Sequence, residues 1–318
     1  MTTAKVIAAI GVLALLLLCP RVLPEFRSFQ VCLIAATAVV VLGQSVVTGF
    51  AGQISLAQSA FAALGGYGAT ILSTSLAFPF WAALPVAATV VGLVGFLLGQ
   101  ATLRVSGHYL ALATMAFTAI VQLALIHGDP LTGGAAGMAV PALEMFGHTF
   151  STGGELFYVI LPISVLLFVM TANAMRSRFG RALTALRQSE TAAEAMGLDV
   201  LRYKAAAFAA SGFLGAIGGG MLALLSTYLD PAQFSITQSV YFLAVAVVGG
   251  MLSPSGVIAS SALFVLLPEL LQSFQSYLGL VFALLLLGFV VLRPDGIASI
   301  ARVLIGVRSR SSSVKELS

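Results

Sequence analysis

Charged residues are scarce in this chain, which has 318 residues, of which 8% are Asp, Glu, Lys or Arg and 59% are hydrophobic. A soluble domain would carry roughly 25% charged and about 45–50% apolar residues. The apolar excess is too large for a single core surrounded by water. This composition excludes a nucleic-acid-binding domain, a disordered scaffold and a disulfide-stapled secreted module, and it indicates a polytopic membrane protein.

Cysteine and lysine are also rare, and their positions exclude several kinds of site. Cys19 and Cys32 lie beside apolar runs and provide neither metal-ligand spacing nor a disulfide framework. None of Lys5, Lys204 and Lys315 follows a glycine-rich loop, so the chain lacks the P-loop that binds and hydrolyses ATP. The zinc-protease motif H-E-x-x-H and the serine-hydrolase motif G-x-S-x-G are absent too. We therefore expect a non-enzyme without a metal or a cofactor of its own.

Long apolar stretches account for most of the chain. A membrane-spanning helix needs about 20 mainly apolar residues, because lipid offers the backbone no hydrogen-bond partners. Ten candidate stretches cover residues 5–19, 30–50, 53–73, 80–103, 108–127, 156–175, 205–228, 237–252, 257–272 and 276–292. The stretch at 53–73 is rich in Gly, Ser and Gln, so it is either a full span or a broken or re-entrant helix. The expected fold is all-α, a polytopic bundle of about ten transmembrane helices.

Basic residues indicate how the bundle is oriented. In the ten-span arrangement, 13 of the 15 Lys and Arg residues fall on one side, against Arg21 and Arg27 on the other. Cytoplasmic loops carry the excess of Lys and Arg, so we expect both termini in the cytoplasm. The chain is then one transmembrane domain over 1–318, containing a basic cytoplasmic segment at 176–204 and a basic cytoplasmic tail at 293–318.

Spans two to five and seven to ten form two four-helix units of opposite orientation in this arrangement. Inverted repeats of this kind place a transport route at their interface. Gly95 and Gly99, and Gly215 and Gly219, have the GxxxG spacing of close helix packing. Gly218–Gly220 interrupts the seventh span, which indicates either packing or unwinding at a gate.

Polar residues within the spans are few. Amide and hydroxyl groups facing lipid would be costly, so the early polar stretch should face the bundle or a wet path. Its members Gln53, Ser55, Gln58 and Ser59 are the candidate translocation path. Glu269 is the only carboxylate well inside a predicted span, and we interpret it as an interfacial or bundle-paired acid. Without a proton relay, the driving energy for transport should come from elsewhere.

The basic segment 176–204 has helical periodicity. Its apolar residues Leu183, Leu186, Ala193, Met196 and Val200 fit one helical stripe. The stretch 191–194 matches a capping box, and the glycine at 197 suits a helix C-terminus. Periodicity alone leaves two alternatives open: a short amphipathic helix lying on anionic lipid, or one that docks a cytosolic partner.

The same segment carries a family resemblance. Ser177–Leu183, then Arg187, Ala192–Gly197 and Tyr203–Lys204, resemble the permeases of branched-chain amino-acid ABC importers, more closely the LivM type than the LivH type. Supporting motifs occur in order over roughly residues 45–297: Gly52–Leu56 with Phe61, Arg104 with Gly107–Tyr109, Leu131–Gly134 with Gly137, Pro231 with Phe234–Ser235, Gly249–Gly250, and Pro294 with Gly296. Ala57, where the family often has Gly, and Ser253–Gly256, in place of a Gly-rich turn, depart from the pattern.

The resemblance implies a type II ABC importer permease in the bacterial plasma (inner) membrane, importing small amino acids, by default Leu, Ile and Val. Its implied partners are a LivH-like second permease, two cytosolic ATP-binding subunits that use the ATP, and an extracytoplasmic substrate-binding protein. The resemblance also implies a coupling segment, residues 177–204, that docks on an ATP-binding subunit. Four of its residues are expected either to contact that subunit or to set the shape of the segment: Arg181, Arg187, Glu194 and Gly197. Related permeases serve urea, short amides or aromatic acids. An ion-coupled secondary transporter or channel, and a membrane scaffold without transport, are the competing hypotheses.

Overall fold

The computed structural model describes residues 24–101, 108–145, 148–150 and 152–271, together with positions 279, 281, 283, 284, 287 and 288. The predicted first span at 5–19, Arg104 and the basic tail at 293–318 lie outside the described residues. The predicted last span at 276–292 is described only at the single positions.

Helices dominate the described part of the chain. The eleven α-helices are α1 (Glu25–Gln44), α2 (Gln58–Ser75), α3 (Phe80–Ala101), α4 (His108–His127), α5 (Asp129–Thr132), α6 (Gly153–Arg176), α7 (Arg178–Gln188), α8 (Glu190–Ala195), α9 (Val200–Ser226), α10 (Ile236–Gly249) and α11 (Pro254–Leu270). α1 continues directly into a π-helical stretch, Ser45–Phe50. Short 3₁₀ turns occupy Gly134–Ala136 and Pro231–Phe234.

In the part of the chain that the structure describes, four short strands form two antiparallel pairs. β1 (Met138–Ala139) pairs with β4 (Tyr228–Leu229), and β2 (Leu143–Met145) pairs with β3 (His148–Phe150). Each pair has only two strands and lies in loops between the long helices. The architecture is therefore an all-α bundle with minor strand pairing, as predicted.

The long helices match the predicted spans. Within the described residues, five helical stretches are long and apolar enough to cross a membrane, namely Glu25–Phe50, Phe80–Ala101, Tyr109–His127, Gly153–Arg176 and Val200–Ser226. Two shorter apolar helices, α10 and α11, occupy the predicted spans at 237–252 and 257–272. The least certain stretch, 53–73, is broken: residues 51–57 are not helical, and α2 begins only at Gln58.

α9 is the central helix of the described bundle and packs against α1, α2 and α3. Glycines allow the backbones to approach closely: a Cβ on Gly65 would lie 2.2 Å from the Ala216 carbonyl oxygen, and one on Gly219 would lie 2.1 Å from that of Ala62. The predicted close packing is thus confirmed. The alternative of unwinding at Gly218–Gly220 is wrong, because α9 is continuously helical there and those glycines are buried against its neighbours.

α1 and α11 lie antiparallel. Gln30, near the start of α1, donates a hydrogen bond to Glu269, near the end of α11. At the other end, a Cβ on Gly49 would lie 2.2 Å from the carbonyl oxygen of Met251, just before α11 begins. The two ends of the bundle are thereby defined: the Glu269 end, which orientation predicts to be extracytoplasmic, and the Gly49 end, predicted to be cytoplasmic.

Candidate functional site

The basic segment folds as two helices rather than as one amphipathic helix. Ser177 Oγ accepts a hydrogen bond from the Phe179 amide at 3.2 Å and caps α7. Ser189 Oγ accepts from the Ala192 amide at 3.2 Å and caps α8. The predicted capping box at 191–194 is therefore misplaced, because Ser189 interrupts the helix and provides the cap two residues earlier.

The break at Ser189 also changes which apolar residues are buried. Leu183, Leu186 and Ala193 are buried against the bundle, as the stripe predicted. Met196, in contrast, is 84% exposed at the end of α8. Gly197 follows with φ of +82°, a left-handed conformation that favours glycine and ends the helix. The segment therefore presents an exposed apolar tip beside its buried face.

The four predicted coupling residues occupy two different surfaces. Arg181, Glu194 and Gly197 are exposed on the outer face of α7 and α8. Arg187 is also exposed, but its Nη1 reaches back to the bundle and donates a 2.8 Å hydrogen bond to the Gly49 carbonyl oxygen. Gly52, with φ of +69°, lies under the Arg187 side chain, and a Cβ there would be 2.8 Å from Arg187 Cγ. Only a glycine suits both the conformation and the space.

Residues 51–57, which we call the broken segment, connect the π-helical end of α1 to α2. Unpaired backbone groups are not tolerated in lipid, so a non-helical stretch must find partners inside the protein. Gln44 Nε2 donates to the Ser55 carbonyl oxygen at 2.9 Å. The Leu56 amide donates to Thr114 Oγ1 at 2.9 Å, and its carbonyl oxygen accepts from Thr118 Oγ1 at 2.7 Å. Side chains of α1 and α4 thus hold the broken segment.

α2 begins halfway along its neighbours. Gln58 Nε2 donates at 2.7 Å to the carbonyl oxygen of Val40, near the middle of the continuous helical stretch Glu25–Phe50. Gln58 Oε1 accepts from Ser211 of α9 at 2.8 Å. The Ser59 amide donates to Ser239 Oγ, in the first turn of α10, at 3.0 Å. The N-termini of α2 and α10 therefore meet inside the bundle.

The predicted path residues Gln53, Ser55, Gln58 and Ser59 are all buried. Facing the bundle, as predicted, they avoid lipid. The side chain of Gln58 is hydrogen-bonded to both α1 and α9, whereas Ser59 Oγ is buried without a hydrogen-bond partner among the described residues. Their role as a translocation path stays a prediction.

Two polar contacts among the described residues join the basic segment to the broken segment and to the π-helical stretch Ser45–Phe50 that precedes it. One is the hydrogen bond from Arg187 to Gly49 described above. The other involves Glu190, whose Oε1 accepts from Gln53 Nε2 at 3.2 Å and whose Oε2 pairs with Lys204 Nζ at 2.6 Å. The Lys204 side chain is only 5% exposed, and that of Glu190 is 45% exposed. We call Gln53, Glu190 and Lys204 the linking triad.

Glu190 and the role of Lys204 were missed by the sequence reasoning. One signal existed: Lys204 lies at the start of a long apolar helix, where a buried ammonium needs an anion nearby. The acid that supplies it is 14 residues away on a separate helix. The contact with Gln53 spans 137 positions, which periodicity cannot indicate.

The opposite end of the bundle has a separate polar cluster. Arg27 Nη1 donates to Gln30 Oε1 at 3.0 Å and lies 3.6 Å from Glu269 Oε1. Gln30 in turn donates to the other oxygen of Glu269. The interpretation of Glu269 as a bundle-paired acid is therefore correct, and this carboxylate joins α1 to α11.

Two of the histidines lie at separate exposed positions. His127 Nδ1 lies 2.9 Å from the Leu123 carbonyl oxygen, and His148 Nε2 lies 3.4 Å from Glu155 Oε1, both at exposed positions. Among the described residues, no group of three or more His, Cys, Asp or Glu side chains is placed to hold a metal ion.

Comparison with known proteins gives a consistent result. Residues 28–291 match the family described as "Branched-chain amino acid transport system / permease component". The chain is 32% identical over 292 residues to the high-affinity branched-chain amino acid transport system permease protein LivM of Salmonella typhimurium, covering 84% of this chain and 69% of that protein.

Two further relatives are similar. The LivM protein of Escherichia coli is 32% identical over 285 residues, covering 82% of this chain and 67% of its own length. A probable LivM permease of Methanocaldococcus jannaschii is 25% identical over 187 residues, covering 58% and 53%. No solved structure matches the chain significantly.

Proposed function

We propose that this chain, which belongs to the branched-chain amino acid transport system permease family, is the membrane-spanning subunit of an ATP-binding-cassette importer. Its cargo is leucine, isoleucine and valine. The chain supplies the route across the membrane, and separate subunits hydrolyse ATP. Urea, short amides or aromatic acids as cargo are the alternative within the same family.

The proposed complex contains four further subunits. A LivH-like permease pairs with this chain in the bacterial inner membrane, two ATP-binding subunits dock in the cytoplasm, and an extracytoplasmic binding protein delivers the amino acid. Both termini lie in the cytoplasm. The excess of Lys and Arg on one side of the bundle supports this orientation.

α7 and α8 are the part of the chain that we propose to couple ATP hydrolysis to transport. Their outer face carries Arg181, Glu194 and Gly197, and Met196 forms an exposed apolar tip suited to a groove on an ATP-binding subunit. Arg187 is hydrogen-bonded to Gly49 of the bundle and transmits the motion. This assignment favours a docked partner over a helix lying on lipid.

The observation that carries the proposal is a pair of contacts from the basic segment, one to the π-helical stretch Ser45–Phe50 and one to the broken segment. When the ATP-binding subunits move α7 and α8, Arg187 pulls on Gly49 and Glu190 pulls on Gln53. The broken segment leads directly to the N-terminus of α2 inside the bundle. ATP binding then shifts the bundle between inward-open and outward-open states because the two states differ in their contacts with the ATP-binding subunits.

The test is co-purification of the complex and ATP-driven leucine uptake in proteoliposomes. Met196→Glu places a charge on the exposed tip and is expected to weaken the association with the ATP-binding subunits and abolish uptake. The residue is exposed, so the variant should fold normally. Met196→Leu keeps the tip apolar and serves as the matched control, with near-normal uptake. Normal assembly and uptake in the Met196→Glu complex would contradict the docking assignment.

A further inference from the structure

The end of α6 that orientation predicts to be cytoplasmic turns sharply into α7. Gly180 is buried against the last turn of α6, where a Cβ would lie 1.9 Å from the Met175 carbonyl oxygen. Arg181 Nη1 donates to the Arg176 carbonyl oxygen at 3.3 Å across the same turn. The first turn of α7 is therefore held against the end of the membrane-spanning helix α6.

Three exposed arginines lie at this turn, which we call the basic corner. Arg176 ends α6, and Arg178 and Arg181 lie in the first turn of α7. Among the described residues, none of the three forms an ion pair with a carboxylate, because Glu190 and Asp199 of the same segment are each paired with another basic side chain. The basic corner thus presents guanidinium groups whose charge no carboxylate of the described chain neutralises by direct pairing.

The exposed face of α6 leads from the basic corner towards the middle of the membrane. Its members recur at the spacing of one helical face: Leu166, Val169, Met170, Asn173 and Arg176. At 1.5 Å per residue, this exposed stripe is about 15 Å long, half of the roughly 30 Å hydrocarbon core. It is apolar towards the membrane centre and polar at its end. A phospholipid in one leaflet has the same order of groups and about the same length.

The chemistry of the basic corner favours an anionic ligand at the membrane surface. Guanidinium groups stay charged and bind phosphate through paired N–H donors. Basic residues directly cytoplasmic of a membrane-spanning helix attract the anionic lipids of that leaflet. A protein partner on the same face would have to place carboxylates opposite the corner, whereas an anionic leaflet supplies phosphate groups there.

We propose that the exposed stripe of α6 and the basic corner form a binding site for an anionic phospholipid of the cytoplasmic leaflet. The acyl chains lie along Leu166, Val169 and Met170, while Arg176 and Arg178 bind the phosphate. The lipid lies against α6, so the outer face of α7 and α8 stays available to the ATP-binding subunits. The inference goes beyond the proposed function and does not depend on the cargo.

The experiment uses the whole chain, purified in mild detergent with the subunits that accompany it. It is titrated with phosphatidylglycerol or with phosphatidylcholine carrying the same acyl chains, and native mass spectrometry measures the bound lipid. Each basic side chain near an anionic lipid surface contributes about fivefold to binding, so phosphatidylglycerol should bind at least about tenfold more tightly than phosphatidylcholine.

Arg176→Gln and Arg178→Gln should each weaken phosphatidylglycerol binding about fivefold, and the double variant at least about tenfold. Arg202→Gln removes an exposed guanidinium that is already paired with Asp199, so it is the matched control and should bind lipid as the parent does. All three arginines are exposed, and size-exclusion and melting profiles without added lipid should match those of the parent.

Inorganic phosphate distinguishes a lipid from a free anion, because it offers the headgroup chemistry without acyl chains. It should displace phosphatidylglycerol only at far higher concentration. Displacement at similar concentration would overturn the lipid assignment. So would equal binding of the two lipids, a double variant that binds like Arg202→Gln, or an assembled complex that binds no phosphatidylglycerol because a partner permease covers the stripe.

Discussion

Glu190→Gln is the substitution that tests the linking triad most sharply. It removes the anion that pairs with Lys204 Nζ at 2.6 Å but keeps an oxygen able to accept from Gln53. The ammonium of Lys204 remains, 5% exposed and without a counter-ion. Removing one partner of a fully buried pair costs about 3–5 kcal/mol, and exposed pairs contribute about 0–1 kcal/mol.

Glu190 is 45% exposed, so solvent screens part of the loss, and we expect a cost of about 1–3 kcal/mol. A free-energy change of about 1.4 kcal/mol changes an equilibrium constant tenfold. The arrangement in which the linking triad is formed therefore becomes roughly 5- to 150-fold less favoured. In proteoliposomes containing the whole complex, leucine uptake per ATP hydrolysed should fall at least about fivefold. The melting temperature of the complex should fall too.

Two control variants distinguish loss of the linking triad from general destabilisation of the complex. Lys204→Met in the Glu190→Gln background removes the unpaired ammonium and leaves the amide contact with Gln53, so stability and coupling should largely recover, a non-additive result. Arg202→Gln breaks only the 2.9 Å pair with Asp199, in which the Arg202 side chain is 83% exposed, and should have little effect. Normal coupling in Glu190→Gln, or a double variant no better than the single one, would refute the reasoning.

Three further predictions concern other parts of the molecule. Gly49→Ala puts a Cβ 2.2 Å from the Met251 carbonyl oxygen and should lower the melting temperature markedly. Gly154→Ala, whose Cβ would have no heavy atom within 4 Å, should not, and equal melting temperatures for the two variants would contradict the packing. Glu194→Lys reverses an exposed charge on α8, so membrane insertion should be normal while uptake falls relative to ATP hydrolysis, and intact coupling would argue against a contact there. A reporter fused at Val140 should be extracytoplasmic in a protease-accessibility assay; protection from external protease would overturn the orientation.

Sequence patterns predicted the helices well because a lipid-spanning helix needs a long apolar stretch with few charges. Gly95 and Gly219 were likewise predicted to mark close helix packing, because small residues in apolar helices let backbones approach, and a Cβ on either would lie within 2.5 Å of a carbonyl oxygen of a neighbouring helix. The break at Ser189 was missed because Leu183, Leu186 and Ala193 keep helical spacing across it. A side-chain cap, rather than hydropathy, divides α7 from α8.

Periodicity along the sequence does not predict contacts between residues far apart in the chain. Gln53 was singled out as a polar residue that lipid would not tolerate, but its partner Glu190 belongs to a distant helix. A pocket nearer the Glu269 end likewise draws its lining from four helices, a 3₁₀ turn and Leu229 of β4, and no local pattern brings Thr37 together with Gln238. Local chemistry indicated which side chains must be buried, and only the tertiary arrangement determines what they meet.

Uphill accumulation of leucine in proteoliposomes is the most direct measurement of the central claim, that this chain provides the route and other subunits provide the energy. The full complex, with binding protein and ATP, should concentrate leucine inside the vesicles. The purified chain alone should produce no accumulation against a gradient, with or without an imposed proton or sodium gradient. Concentrative uptake by the chain alone would contradict the account.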